Sequence, residues 1–193
     1  MNATRVTSDR FVRQAWKNGG GSTTELAREG SGERWLWRLS IAEVERSGPF
    51  SDFTGYERTI LLLEGAGMEL EVGGTVAVTL SERYRPFTFD GGAATTCTLL
   101  DGAVRDFNLI VDRERGAGSV EVGGADRFGD VRIESRWALA YALRGSMRAA
   151  LPGFEGLLAP GELLRIDEAD GTRLALTATD GAALVALVRI DAR

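Results

Sequence analysis

Thr59-Ile60-Leu61-Leu62-Leu63-Glu64-Gly65 and, eighty residues on, Leu139-Ala140-Tyr141-Ala142-Leu143-Arg144-Gly145 share one pattern: an apolar run, one charge, then glycine. Runs of this length that end on a turn residue read as strands rather than helices. The match continues outward. Asp90-Gly91 recurs as Asp170-Gly171 at the same offset, and Asp101-Gly102-Ala103 recurs as Asp180-Gly181-Ala182 with one residue lost. A final apolar strand pattern closes each copy, at residues 106–111 and 185–190. Four matches in one order read as two copies of a single β-unit.

The remainder of the chain agrees. Short alternating or apolar runs fall at residues 35–44, 68–72, 75–80 and 95–100, and again at 131–134, 147–151, 157–158, 163–166 and 173–179. Gly and Asp-Gly turns separate them, and helical periodicity is confined to one turn at most, within residues 9–14. The fold class is all-β. Gly156-Leu157-Leu158-Ala159-Pro160-Gly161-Glu162, a turn between two apolar strands, resembles the proline–glycine turn of cupin barrels. Two cupin-like domains, each a double-stranded β-helix barrel (a bicupin), fit both the length and the repeat. The expected division is an N-terminal half at 1–112, a connecting segment at 113–126 rich in Gly and charge, and a C-terminal half at 127–193. Unusual polar clusters precede residue 112, so the first half is expected to hold the site. The second half, mostly Ala, Leu and Val, would support it or pair with another subunit in a homodimer.

Composition excludes several classes of function. The net charge is −5 and the basic residues are scattered, which argues against a nucleic-acid surface. The N-terminus lacks an apolar signal core, and the longest apolar run, residues 182–188, is far short of the roughly 20 residues a membrane helix needs. A cytoplasmic protein with no membrane partner is expected. A single cysteine, Cys97, rules out an internal disulfide. There is no histidine, so a Ser-His-Asp triad and a His-based metal site are both impossible. Any general base would have to be a shifted carboxylate, Lys17, Cys97 or a tyrosine.

Trp16-Lys17-Asn18-Gly19-Gly20-Gly21-Ser22-Thr23-Thr24-Glu25-Leu26 places an aromatic ring, the only lysine and many hydrogen-bonding side chains around a glycine run. It suits a tight turn entering a strand or contact with a small polar molecule. It is not a phosphate loop, because the lysine precedes the glycines. In Trp37-Arg38-Leu39-Ser40-Ile41-Ala42, strict alternation puts Arg38 and Ser40 on one face. Arg38 is then either a solvated charge or, inside a barrel mouth, a two-pronged carboxylate clamp. Gly48-Pro49-Phe50-Ser51-Asp52-Phe53-Thr54-Gly55-Tyr56-Glu57-Arg58 carries more aromatic surface than a free loop should expose, so it is expected to fold back as a lid or wall. Arg58 is a second candidate clamp. Asp106 and Asn108 share one face of an apolar strand and need partners there.

Together these blocks resemble the HutD/Ves family, named for its association with bacterial histidine utilisation. The blocks are Trp16-Lys17-Asn18-Gly19-Gly20-Gly21 with Thr23-Thr24-Glu25, Trp37-Arg38-Leu39-Ser40-Ile41-Ala42, Gly48-Pro49-Phe50-Ser51 with Phe53, Gly55 and Arg58, Phe89-Asp90-Gly91, and Asp106-Phe107-Asn108. One departure is Leu109-Ile110, where the family pattern leads to a methionine. The resemblance implies a two-cupin fold without the usual cupin metal, no cofactor, and a cytoplasmic protein that binds an anionic intermediate of histidine breakdown, such as N-formylglutamate or urocanate, and restrains flux. The ligand-binding residues it implies are Trp16, Lys17, Asn18, Thr23, Thr24, Arg38, Ser40, Ser51, Phe53, Arg58 and Asn108. No catalytic activity is firmly attached to the family. The alternative is a histidine-free hydrolase or isomerase of a small carboxylate, with Lys17, Glu25 or Asp106 as base. A further possibility is an interaction module that uses the aromatic loop of residues 50–56 to contact a protein.

Overall fold

In the computed structural model, every residue is described except Glu33 and Asp180, together with the side chain of Val76. Asp180 belongs to one of the repeated turns and lies outside the described residues. In chain order the strands are β1 (Asn2–Val6), β2 (Val12–Ala15), β3 (Gly21–Glu29), β4 (Trp37–Val44), β5 (Gly48–Pro49), β6 (Tyr56–Glu64), β7 (Met68–Val72), β8 (Val76–Leu80), β9 (Phe87–Asp90), β10 (Thr95–Leu99) and β11 (Val104–Asp112). They continue as β12 (Gly116–Gly124), β13 (Val131–Arg132), β14 (Trp137–Arg144), β15 (Met147–Leu151), β16 (Phe154–Leu158), β17 (Leu163–Asp167), β18 (Arg173–Ala178) and β19 (Leu184–Ala192). Helix among the described residues is limited to two 3-10 turns, Ser8–Arg10 and Ala125–Phe128. The chain is all-β.

The repeat has a physical basis. Opposite β11, Arg105 pairs with Glu64 and Asp106 with Leu62, so Leu63 is an extra residue in β6. Opposite β19, Ala142 pairs with Val185 and Arg144 with Leu184, so Leu143 is the extra residue in β14. Both copies therefore bulge at the same position, a device that bends a strand and closes a curved sheet. The glycine after each bulge is required by space as well as by conformation. Gly65 has φ +99°, and a Cβ there would lie 2.7 Å from the Ala103 carbonyl oxygen; Gly145 has φ +68°, and its Cβ would lie 2.8 Å from that of Ala182.

The chain divides into two compact units. Phe11–Gly116 forms a six-stranded sheet, β2-β3-β4-β11-β6-β9, and a four-stranded sheet, β5-β10-β7-β8. Their shared core includes Ile60, Leu62, Met68, Leu70, Cys97 and Val104. Met1–Arg10 with Ala117–Arg193 forms a five-stranded sheet, β1-β17-β14-β19-β12, and a four-stranded sheet, β13-β18-β15-β16, around Ala138, Ala140, Leu164, Leu174, Leu176 and Leu187. The order β9-β6-β11-β4 in one unit corresponds to β17-β14-β19-β12 in the other. The first unit extends its sheet beyond β4 with the β2–β3 hairpin; the second extends its sheet beyond β17 with β1.

Two expected boundaries need correction. Residues 1–10 belong with the second unit, because β1 pairs along the full length of β17, from Asn2 opposite Asp167 to Val6 opposite Leu163. The segment 113–126 is not a linker: β12 occupies most of it, and half-buried Val120 and Val122 alternate with charged or small residues in a stretch whose glycines suggested a loop.

Candidate functional site

The six-stranded sheet builds a cavity of about 620 Å³ on one face. Register decides which side chains reach it. Thr23 lies opposite Ala42, Glu25 opposite Ser40 and Arg28 opposite Arg38 across β3 and β4. Ser40 lies opposite Asn108 and Arg38 opposite Ile110 across β4 and β11, and Ile110 lies opposite Arg58 across β11 and β6. All of these line the cavity. β4 is covered on both faces: Trp37, Leu39 and Ile41 are buried on one, Ser40 and Ala42 on the other. The alternation of β4 therefore puts Arg38 at the cavity and not in free solvent.

The β2–β3 hairpin supplies a wall. Its turn is held by Trp16 N–H donating to the Gly21 carbonyl at 2.9 Å and by Gly20 N–H donating to Asn18 Oδ1 at 3.0 Å. The Trp16 indole donates to Thr23 Oγ1 at 2.8 Å, which fixes the ring against the cavity. A Cβ on Gly21 would sit 2.0 Å from the Glu43 carbonyl oxygen and 3.3 Å from the Trp16 ring, so only glycine lets the hairpin lie this close to β4. Lys17 and Asn18 line the cavity from the exposed turn.

The loop after β5 is a wall. Phe50 N–H donates to Thr95 at 2.8 Å, Phe53 N–H to Gly91 at 2.9 Å, and Asp52 Oδ1 accepts from both Thr54 N–H and its hydroxyl at 2.8 Å. Pro49, Phe50, Ser51 and Phe53 face the cavity. Tyr56 anchors the end of the loop by donating to the Trp35 carbonyl at 3.0 Å.

Thus Trp16, Lys17, Asn18, Thr23, Arg38, Ser40, Ser51, Phe53, Arg58 and Asn108 surround one space. Thr24 does not: strand alternation turns it to the opposite face of β3, opposite Ile41. Gln14 and Arg28 also line the cavity and were not picked out from sequence. Arg28 could have been found by continuing the alternation Thr23, Glu25 past the bulge that follows Glu25. Gln14 fell in the stretch read as at most one helical turn, residues 9–14, whereas the structure makes it part of β2.

Two of the three cavity arginines, Arg38 and Arg58, are held by rings. The Arg38 Cζ lies 5.1 Å from the Trp35 ring centroid and 5.2 Å from that of Phe53. The Arg58 Cζ lies 4.4 Å from the Phe50 centroid and 5.6 Å from that of Phe89. Aromatic faces attract a guanidinium while leaving its N–H edge free. Arg38 Nε is buried without a hydrogen-bond partner among the described residues. Burial lowers the Arg38 pKa, opposed by Glu25 and reinforced by Arg28. Arg58 is 7% exposed. Its Nε and Nη2 donate to Asn108 Oδ1 at 2.9 and 2.6 Å. Burial lowers its pKa to about 10, which leaves it charged at neutral pH; Asp106 opposes the shift and Arg38 adds to it.

Asn108 Nδ2 donates in turn to Asp106 Oδ1, so Arg58, Asn108 and Asp106 form a chain. Asp106 is fully buried and does not line the cavity. Burial pushes its carboxyl up to about 6, against the pull of Arg58 and of the Asn108 hydrogen bond. Of the other candidate bases, Lys17 is exposed, and Glu25 lies 3.5 Å from Arg28 at the rim. Burial pushes the Cys97 thiol up to about 11, and Cys97 sits in the apolar core.

Cupin barrels commonly carry a metal ion, but these residues do not fit one. The chain has no histidine, and no cluster of three or more Cys, Asp and Glu occurs among the described residues. The charged side chains that line the cavity are Lys17, Arg28, Arg38 and Arg58 against a single carboxylate, Glu25, a set that repels a cation and suits an anion.

The fold is cupin-like: it superposes on protein Ylba from E. coli, 12% identical, with a TM-score of 0.68 over 98% of this chain and 90% of that one. A family model for HutD matches residues 8–185, and the chain belongs to the HutD family. An uncharacterized 21.2 kDa protein in the hutC 3′ region of Pseudomonas putida is 48% identical over 108 residues, 54% of this chain and 56% of that one, so the match spans little more than half of that relative's length. Protein Ves from Citrobacter koseri is 40% identical over 133 residues, 68% of each chain. Among solved structures, a conserved protein of unknown function from Pseudomonas aeruginosa PAO1 is 36% identical with a TM-score of 0.91, covering 99% of this chain and 100% of that one. HutD from Pseudomonas fluorescens SBW25 is 32% identical with a TM-score of 0.82 and full coverage of both. No helix among the described residues is long and apolar enough to cross a membrane.

Proposed function

We propose that this chain is a metal-independent bicupin of the cytoplasm that binds a small anionic metabolite in the cavity of its first unit. The observation that carries this reading is a pair of ring-held guanidinium groups on one cavity wall. Arg38 Nε has no partner among the described residues, and Arg58 spends its two hydrogen bonds on a neutral amide. A buried charge is costly unless something pairs with it, and each charge-assisted hydrogen bond contributes about 1.5–3 kcal/mol. Two such sites favour a dicarboxylate over a neutral amino acid. Thr23, Ser40 and Asn18 supply neutral hydrogen-bonding groups around the same space. The bulge and glycine shared by the two copies support the bicupin reading.

Family membership and the hutC-region relative point to histidine breakdown as the source of the ligand, with N-formylglutamate or urocanate as the candidates and restraint of pathway flux as the role. Binding is preferred to catalysis because none of the candidate bases combines burial with access to the cavity. Calorimetric titration with N-formylglutamate, urocanate, glutamate and histidine tests the reading. Heat from an anionic compound, lost in Arg38→Ala, is the expected result. No heat from any of them with folded protein refutes the ligand assignment. Mass-spectrometric detection of turnover would favour an enzyme instead.

A further inference from the structure

The cavity explains Arg38 and Arg58 but not Asp106, a fully buried carboxylate set behind it. We infer that Asp106 makes anion binding proton-linked: in the free protein it is the counter-charge of Arg58, relayed by Asn108, and when a carboxylate ligand takes over Arg58, Asp106 takes up one proton from solvent. This rests on the reading of the cavity as a carboxylate site.

The geometry commits each atom of the relay. Asn108 Oδ1 faces Arg58, accepting from Nε and Nη2, and Asn108 Nδ2 faces Asp106 Oδ1. Asp106 thereby fixes which end of the amide meets the guanidinium, and it acts as a positioning residue without touching the ligand. Asp106 Oδ2 is buried with no partner among the described residues. A charged oxygen left bare is the most costly state for a buried carboxylate, and a proton on Oδ2 removes that cost.

The surroundings leave Arg58 as the cation that decides. From its own strand Asp106 meets Asn108; from β6 it meets Arg58; from β10 it meets Cys97, whose thiol stays neutral because burial pushes it up to about 11. Its cross-strand neighbours, Ala42 and Leu62, carry no charge. Arg38 acts on Arg58. A ligand carboxylate at Arg58 would set two anions on one buried cation. Repulsion then favours the neutral form of Asp106, whose carboxyl already titrates at about 6. Each protein whose Asp106 is ionised before the anion binds and neutral afterwards gains its proton from solvent, so for a midpoint raised by one unit the uptake peaks between the two midpoints at about half a proton per anion bound.

The probe is N-formylglutamate, with formate as a second; both stay ionised above the ordinary carboxylate range, near 4. Carbon NMR follows the Asp106 carboxyl of the wild-type protein through pH with and without probe. Calorimetry in buffers of different protonation heat counts protons. If binding raises the Asp106 midpoint by about one unit, affinity falls about tenfold as pH rises through that midpoint. Asp106→Asn then binds with the low-pH affinity at every pH. An Asp106 midpoint unmoved by bound probe, or identical pH profiles for wild type and Asp106→Asn, overturns the proton link and leaves the carboxylate site intact. Failure of both probes to bind at any pH overturns both. Should Asp106→Asn not fold, the wild-type titration decides alone.

Discussion

Replacing Asp106 with Asn should stabilise this protein at pH 7.5 and have little effect on stability at pH 4. The carboxyl is fully buried and titrates at about 6 where an ordinary aspartate titrates at 3.8, and it does so although Arg58 and Asn108 both pull it down. Burial therefore outweighs the attraction. The unfolded chain releases this proton near 3.8 and the native protein holds it to about 6, so stability is lost as pH rises across that window. A shift of about two units corresponds to about 3 kcal/mol, all of it present above the upper midpoint. Asn is isosteric with the protonated acid and still accepts from Asn108 Nδ2. That shift is already net of the attraction to Arg58, so the gain is about 3 kcal/mol at most, less the cost of burying the new amide N–H groups at the position of Oδ2, which has no partner among the described residues. The opposing expectation is equally definite: if the Asp106–Arg58 pair were a net stabilising salt bridge, removing one partner would cost about 3–5 kcal/mol. The two expectations differ in sign. Urea unfolding of both proteins from pH 4 to pH 8 measures the difference. A destabilised Asp106→Asn at pH 7.5 would refute the claim that burial wins.

Three further outcomes follow from the geometry. Arg38→Ala should abolish binding of carboxylate ligands by calorimetry while changing the melting temperature little, because losing the ring contacts with Trp35 and Phe53 offsets the relief of an unfavourable burial that leaves Arg38 Nε without a hydrogen bond among the described residues. Gly21→Ala should lower stability by about 1–3 kcal/mol in chemical denaturation and weaken ligand binding, because its Cβ would fall 2.0 Å from the Glu43 carbonyl and push the hairpin wall away from β4. Thr23→Val should weaken binding by freeing the Trp16 indole, whereas Thr24→Val, on the opposite face of β3, should leave calorimetric affinity as it is.

Much of this molecule is legible in one dimension, and particular residues show why. The strands of the repeat announce themselves because β6, β14, β11 and β19 are long apolar runs and their bulges force glycine at 65 and 145. β1 gives no such sign. Asn2-Ala3-Thr4-Arg5-Val6 is mostly polar, and it becomes a strand because β17 offers an open edge of backbone donors and acceptors. β3 was legible as chemistry but not as a strand: Ser22, Thr23 and Thr24 read equally well as turn residues, and pairing with β4 settles the matter. The site residues were visible as types in recognisable blocks. The face each one takes was not, and Thr24 shows the consequence of one residue of register.

Sequence alone determined that the chain is all-β, that bulge-and-glycine strands recur in it eighty residues apart, and that no histidine of this chain can serve as base or metal ligand. These are properties of composition and short-range pattern: a glycine forced by a bulge, or a missing residue type, is local information. Tertiary structure decided the rest. It put the N-terminal strand in the second unit, left Arg38 Nε without a hydrogen-bond partner among the described residues and held the Arg38 and Arg58 guanidinium groups by rings. It buried Asp106 behind Arg58 and Asn108. Desolvation and register act between residues as far apart in the chain as Arg58 and Asn108, and no pattern of neighbours encodes them.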